Sequence, residues 1–206
     1  MDRACIYIDG FNVYHALDNF HDQRLKWLNL KALSESLIKP KTEKIQNIYY
    51  FSAYADFKPD AKRRHEQYVA ALRSVGITVV MGNFKKKQVY AWCEDAAHPK
   101  KKLYRDTYEE KESDVNIALH LLRDAYEDIF DVAYVISSDS DLVPAMKMVL
   151  EKMPHKKIVT VAAPNRGHAQ SAIHLGIEKK KINENQLLRC LFPQEIRDGA
   201  GNLVAK

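Results

Sequence analysis

A three-layer α/β fold, doubly wound around a mainly parallel sheet with helices on both faces, is predicted by three features of the sequence. Residues 4–8 and 132–136 are uninterrupted apolar runs, the form taken by strands buried on both faces. Between them, further apolar runs alternate with stretches of helical periodicity. Two short acidic motifs, Ile8-Asp9-Gly10-Phe11-Asn12 and Ser137-Ser138-Asp139-Ser140-Asp141, stand directly after these two runs. They put carboxylates at strand ends, where parallel α/β sheets open their binding crevice.

After the first strand, a helix is expected over 12–20. Asn29 is placed to cap a second helix with Leu30, Leu33, Leu37 and Ile38 on its apolar face. Residues 45–54, rich in Ile, Tyr and Phe, read as the second strand. Pro59 starts a long helix reaching residue 74, with Tyr68, Val69, Leu72 and Val75 at helical spacing and Gly76 as its stop. Residues 77–81 are the third strand. Residues 83–110 are less regular and read as an insert beside the crevice, with short strands at 89–92 and 103–104 around a polar loop. Val115, Ala118, Leu119, Leu122, Ala125 and Tyr126 recur at three- and four-residue steps, so 112–126 is a helix. After the strand at 132–136, Asp141 is placed to cap a helix that carries Pro144 in its first turn. A strand at 158–162, a short helix around 168–175 and an edge strand near 177–182 follow. This reading makes one domain of residues 1–182 and a C-terminal appendage of 183–206.

No uncharged apolar run is long enough to span a membrane, and Met1-Asp2-Arg3-Ala4-Cys5 runs straight into a strand without a signal-peptide core. Cys5, Cys93 and Cys190, odd in number and far apart, make no disulfide framework, so a reducing cytoplasm is expected. The net charge is +5, and because the predicted crevice is acidic the basic residues lie outside it. They cluster at Lys62-Arg63-Arg64, Lys85-Lys86-Lys87, Lys100-Lys101-Lys102, Lys156-Lys157 and Lys179-Lys180-Lys181. Basic ground around an acidic pocket suits a polyanion, although any one cluster reads more readily as a solvated face.

If the strands before Asp9 and Asp139 are neighbours, these acids lie ~5 Å apart on one edge. Asp141 is within reach of the same point, and Asp114, opening the 112–126 helix, is placed to turn back toward it. Carboxylates gathered in one crevice repel and their pKa values rise unless a cation binds there. Mg²⁺ or Mn²⁺ fits, since hard cations take oxygen ligands. Each acid also has a plainer role: Asp9 in turn chemistry before Gly10, Asp141 as a cap, Asp114 as a partner of the helix dipole. Arg166, in Asn165-Arg166-Gly167-His168, stands on the same predicted edge and is placed to grip a phosphate. Tyr14, Phe57, Tyr90, Trp92 and Tyr104 are candidate stacking surfaces for unpaired bases, with core packing as their commoner role. His120 does not share Asp114's helix face and His15 reads as a surface residue. No G-x-G-x-x-G or P-loop follows a strand, which weakens nucleotide binding, and no second acid follows Asp9 by two residues as a phosphoaspartyl phosphatase needs.

Tyr7-Ile8-Asp9-Gly10-Phe11-Asn12, Glu110-Lys111-Glu112-Ser113-Asp114-Val115 and Val135-Ile136-Ser137-Ser138-Asp139-Ser140-Asp141-Leu142 resemble, in this order and spacing, the motifs of the NYN domain. That domain is a branch of the PIN-like ribonuclease superfamily, and the resemblance covers residues 4–180. It implies a PIN-like fold and a metal-dependent endoribonuclease that hydrolyses RNA with activated water, leaving 5′-phosphate and 3′-hydroxyl ends. It also implies that Asp9, Asp114, Asp139 and Asp141 are the metal-binding, catalytic acids. Asn12 matches a polar position that orients Asp9 or contacts phosphate, and Lys111 a basic position before the helix acid. Ser138, expected at the substrate, stands where the family commonly has Gly, a change that is tolerable unless the position needs positive φ. Leu142 replaces a usual Phe. Cys93 with His98 supplies only half of a structural zinc site, so zinc is not expected there. RNA is the expected partner, with a homodimer through 183–206 as a further expectation. A non-catalytic RNA-binding or regulatory module on the same scaffold is the alternative.

Overall fold

The structure is a computed structural model that describes residues 1–20, 22–92, 102–197 and 201–205. Among these residues one sheet is built from β1 (Asp2–Asp9), β2 (Glu43–Ala53), β3 (Thr78–Trp92), β4 (Lys102–Lys111), β5 (Val132–Ile136), β6 (Lys157–Ala162) and β7 (Glu178–Lys181). Their order is β4-β3-β2-β1-β5-β6-β7, and every pairing except β3 with β4 is parallel. The chain runs outward from β1 to β4, returns through helix α4 (Ser113–Tyr126), and runs outward again from β5 to β7. Strand order therefore reverses between β1 and β5. The crevice at their carboxyl ends is the topological switch point.

Side chains of β1 divide between two cores by strict alternation. Ala4, Ile6 and Ile8 pack with α1 (Gly10–Asp18), α2 (Leu30–Leu37) and α3 (Pro59–Ser74), through Val13, Leu17, Leu33, Val69 and Leu72. Cys5 and Tyr7 pack on the other face with Ile117 and Leu121 of α4 and Met146 and Val149 of α5 (Val143–Lys152). Helices thus cover both faces, as the apolar runs predicted. The Tyr7 hydroxyl donates to Asp124 Oδ2 at 2.9 Å, and Arg123 pairs with the other oxygen at 2.6 Å. This buried contact ties the far end of α4 to β1 and so fixes where its first turn, with Asp114, lies.

Asn29 caps α2 as expected, accepting from Lys31 N and Ala32 N. Two expectations fail. Residues 83–92 and 102–110 are not irregular: β3 and β4 form one long antiparallel ribbon, in register from Asn83 opposite Lys111 to Trp92 opposite Lys102, and the short strands expected at 89–92 and 103–104 fall within it, while the polar loop between them lies outside the described residues. Beyond residue 82 both strands are solvated on both sides, so the apolar alternation that marks a half-buried strand is missing. Asp141 does not cap a helix either. Leu142 holds the N-cap position of α5 with no side-chain bond, and Asp141 is exposed.

Beyond β7 the chain forms a helix, Glu184–Arg189, and a small pair, β8 (Ile196–Arg197) with β9 (Leu203–Ala205). Leu187, Cys190, Phe192, Ile196 and Ala205 are buried in the first core, and the Trp27 indole donates to Pro193 O at 2.7 Å. The segment read as an appendage therefore supplies core packing. The short helix expected around 168–175 is α6 (Gln170–Ile173). Cys93 and His98, the half zinc site, and the turn at 198–200 lie outside the described residues.

Gly10 is where β1 hands over to α1 against β2. A Cβ there would lie 2.6 Å from Phe51 O and 2.7 Å from the Tyr50 ring, both part of the packed sheet. Gly10→Ala is expected to cost roughly 1–3 kcal/mol, about 2–4 °C of melting temperature per kcal/mol for a chain of this size. A thermal melt unchanged from wild type would show that the sheet yields here.

Candidate functional site

Asp9 ends β1 and is 5% exposed. Its Oδ1 accepts from Asn12 N at 2.9 Å, capping α1, and its Oδ2 accepts from the Ser137 hydroxyl at 2.8 Å. Turn chemistry and site chemistry are thus one arrangement: the bond that starts the helix also aims the carboxylate. Ile8 pairs with Ile136, so the loop after β5 begins level with Asp9. There Ser137 Oγ accepts from Asp139 N at 3.0 Å, Asp139 Oδ1 accepts from Asp141 N at 2.8 Å, and Asn12 Oδ1 accepts from Ser138 N at 3.2 Å. Asn12 and Ser137 stitch the β1 and β5 loops together. Ser138 does not have positive φ, so serine fits where a glycine is commonly found.

The third segment arrives through a strained turn. Glu112, between β4 and α4, has φ +80, a left-handed conformation that costs a residue with a side chain. Gly82 makes room for it: a Cβ there would lie 2.5 Å from Lys111 O. The turn sets Asp114 in the first turn of α4, half-buried in the crevice. Burial pushes the Asp114 carboxyl up to about 6, and the negative charges of Asp9, Asp139 and Asp141 add to the rise. Asp9 is also raised, chiefly by burial. Asp114 therefore lies within electrostatic reach of Asp9, Asp139 and Asp141, and Asp9 within reach of Asp139.

Two further residues join them. Ser137 is the link between Asp9 and Asp139 described above. Glu110, near the end of β4, is pushed up to about 7 by burial, with the charges of Asp9 and Asp114 adding to it. Among the described residues, the buried side-chain oxygens without a hydrogen bond of good geometry are Glu110 Oε1, Ser113 Oγ and Ser138 Oγ, although the Ser113 hydroxyl lies close enough to Glu110 to partly offset the rise of its carboxyl. All three belong to the motifs that build this crevice. Native folds rarely leave such atoms unpaired without a ligand or water to meet them.

Lys111 is placed differently from the acids. Successive residues of a strand face opposite sides. Lys111 pairs with Glu109 at 3.1 Å on one side of β4, and Glu110 alone turns to the crevice. Arg166 is exposed in the loop after β6, one strand beyond Asp139. His120 Nδ1 donates to Asn116 O at 2.8 Å, and its ring packs on Tyr49 and Phe51. Several basic clusters serve the fold: Lys156 is buried and bonds Asp128 Oδ1 and Phe130 O, Lys180 bonds Leu37 O, and Lys62 pairs with Asp56. A cavity of about 570 Å³, lined by Asp2, Glu43, Lys156 and Glu178 among others, opens at the amino ends of the strands, away from the acids.

Asp9, Glu110 and Asp114 hold their protons more tightly in the folded chain than their ordinary values of 3.8, 4.5 and 3.8 allow. The unfolded chain gives up those protons first as pH rises, so this cluster removes stability from about pH 4 to about pH 7. Buried His65, held below its usual value, slopes the other way. The readout is therefore a difference: in chelator, Glu110→Gln should flatten the fall in melting temperature across that window. Parallel curves for wild type and variant would mean that Glu110 is not part of a repelling cluster.

The donor set is carboxylate oxygen throughout, with serine oxygens beside it, which suits a hard divalent cation and not a soft one. Among the described residues no group of three or more His, Cys, Asp and Glu side chains is arranged to hold a metal as it stands. Asp9 and Asp139 direct oxygens to Asn12, Ser137 and Asp141 instead. Among the described residues no helix is long and apolar enough to cross a membrane.

A crystal structure of a Vibrio parahaemolyticus RIMD 2210633 protein of unknown function superposes with a TM-score of 0.54 over 89% of this chain and 94% of that one, at 18% identity. That likeness concerns the fold alone. A curated relative, 6-hydroxy-3-succinoylpyridine 3-monooxygenase HspA of Pseudomonas putida (strain DSM 28022 / S16), is 26% identical over 227 aligned residues, 94% of this chain and 71% of the relative. Residues 3–175, the span holding all three acidic segments, match the family model for the NYN domain. The chain therefore belongs to the NYN domain family, a branch of the PIN-like nuclease superfamily.

Proposed function

We propose that this chain is a divalent-metal-dependent ribonuclease that hydrolyses RNA phosphodiester bonds and leaves 5′-phosphate and 3′-hydroxyl ends. The observation that carries the reading is the convergence of Asp9, Asp114, Asp139 and Asp141, from three distant segments, at the switch point of the sheet. Asp9 is the best-positioned ligand, since Asn12 and Ser137 fix its carboxylate before anything binds. Asp139 is steadied by Asp141 N, and Asp114 and Glu110 complete an acidic wall. A bound Mg²⁺ or Mn²⁺ supplies charge neutralisation at the scissile phosphate and makes a water a better nucleophile. Ser138, with its buried free hydroxyl oxygen, is suited to meet a phosphate oxygen. Arg166 is suited to a flanking phosphate farther along the edge. Lys111 is assigned to the outer face and to at most a peripheral contact. Buried free thiols at Cys5 and Cys190 suit a reducing compartment such as the cytoplasm.

The test is incubation of the purified chain with RNA and Mg²⁺ or Mn²⁺, with and without chelator, and analysis of the product ends. Metal-dependent cleavage to 5′-phosphate products is expected. The Pseudomonas putida relative is named for oxygenation of a pyridine ring, so oxygen uptake with that pyridine is measured in parallel. Uptake without RNA cleavage would overturn the proposal.

A further inference from the structure

We propose that the β3–β4 ribbon is a docking strip for single-stranded RNA, whose bases stack on its tyrosines and whose backbone is led into the acidic crevice. The reading rests on the ribonuclease proposal for the identity of the polymer. Opposed residues of an antiparallel pair share a face, and alternate residues along each strand do too. Phe84 lies opposite Glu110, Lys86 opposite Tyr108, Gln88 opposite Asp106 and Tyr90 opposite Tyr104. The face that presents Glu110 to the crevice is therefore the face that carries all three ribbon tyrosines. The contacts agree with this parity: Lys86 pairs with Asp106 at 2.7 Å on this side, while Lys87 and Lys111 meet Glu109 on the other.

The tyrosines are open to solvent, at 36% for Tyr108, 54% for Tyr90 and 60% for Tyr104. Tyr90 and Tyr104 sit side by side, ring centres 6.0 Å apart, and Lys102 Nζ lies 4.4 Å above the Tyr90 ring. Nearer the crevice, from Tyr108 inward, a second run of aromatic contacts follows. Phe57 stacks flat on Tyr108 at 3.7 Å and meets Phe84 edge-on at 5.2 Å, and Phe84 meets Phe11, two residues after Asp9, at 5.5 Å. From Glu110 to Tyr104 the strip runs about 20 Å, room for several nucleotides. The described ribbon, residues 83–92 and 102–111, carries six basic residues against three acidic ones, and one of the three is Glu110 itself.

Aromatic faces with interleaved cations are what an unpaired strand uses: every base has a π-face to stack, and lysines track the phosphates. A duplex has its base faces covered by neighbouring pairs and gains nothing from the rings. The occupant is therefore single-stranded RNA.

The experiment is fluorescence anisotropy of a short fluorescein-labelled oligouridylate, in chelator so that nothing is cut, with a duplex of equal length as competitor. Tyr90→Ala with Tyr104→Ala should weaken binding about 100-fold, about tenfold for each ring. Tyr90→Phe with Tyr104→Phe should bind within a few-fold of wild type, because the π-face is kept. The salt dependence of affinity should be the same for wild type and the alanine variant, since phosphate contacts are untouched. No binding by wild type, equal binding by the alanine variant, or equal competition by duplex overturns the docking strip. Tyrosine-dependent binding without metal-dependent cleavage would sink the nuclease reading and leave the strip standing; cleavage that ignores both tyrosines would do the reverse.

Discussion

Replacing Asp9 by asparagine is expected to abolish RNA cleavage while raising the melting temperature of the metal-free protein. Asparagine keeps an acceptor for Asn12 N, so the start of α1 survives. Its amide nitrogen can donate to Ser137 Oγ where the carboxylate accepted, so the tie to the β5 loop survives too. What disappears is a charge buried beside other carboxylates, one whose carboxyl is raised by burial and by Asp139. Near neutral pH that charge works against the fold, and removing it is a gain. Cleavage should fall on the order of 10³-fold or more, because the lost anion is the most rigidly held ligand for the cation. Wild type should gain about 5–10 °C from saturating Mn²⁺, given about 2.7 kcal/mol at a hundredfold excess over Kd. The variant should gain little. Cleavage at the wild-type rate, or an undiminished Mn²⁺ shift, would remove Asp9 from the site.

How much of this was legible in the sequence follows from burial. Strands enclosed on both faces, such as β1 and β5, read directly as apolar runs. α2 and α3 announced themselves by Asn29 and Pro59, residues whose backbone chemistry suits helix starts. The β3–β4 ribbon did not, because a strand solvated on both sides has no hydrophobic period, and the run Lys85-Lys86-Lys87 hides which side each residue takes. The core packing of the C-terminal segment was hidden for another reason. Leu187, Phe192 and Ile196 are scattered through short elements, and their burial is set by contacts with residues such as Trp27 far away in sequence. In the site, acids at strand ends were readable because a carboxylate closing an apolar run is conspicuous. Ser137 was in plain view within its motif, and its role follows only from the β1–β5 pairing.

Glu110→Gln is expected to lower cleavage about 100-fold, and Lys111→Ala less than about threefold, the contribution ordinary for an exposed ion pair. Sequence favours Lys111, since a cation next to a helix acid looks like a phosphate contact. Strand geometry decides otherwise. Lys111 and Glu109 share one side of β4 and pair with each other, while Glu110 faces Asp9 and Asp114 with Oε1 buried and unpartnered. Glutamine keeps the size and the neutral hydrogen bonding of a protonated Glu110, so the fold should hold and the comparison isolates the charge. Glu110 sits near pH 7 in the folded chain without cation, so a cation there must displace its proton, and cleavage should steepen with pH below neutrality in wild type. Glu110→Gln should lose that part of the profile. A larger loss from Lys111→Ala than from Glu110→Gln would mean that the ribbon is turned over by one residue, and with it the tyrosine face, because a single-residue slip moves every side chain of a strand to the other side.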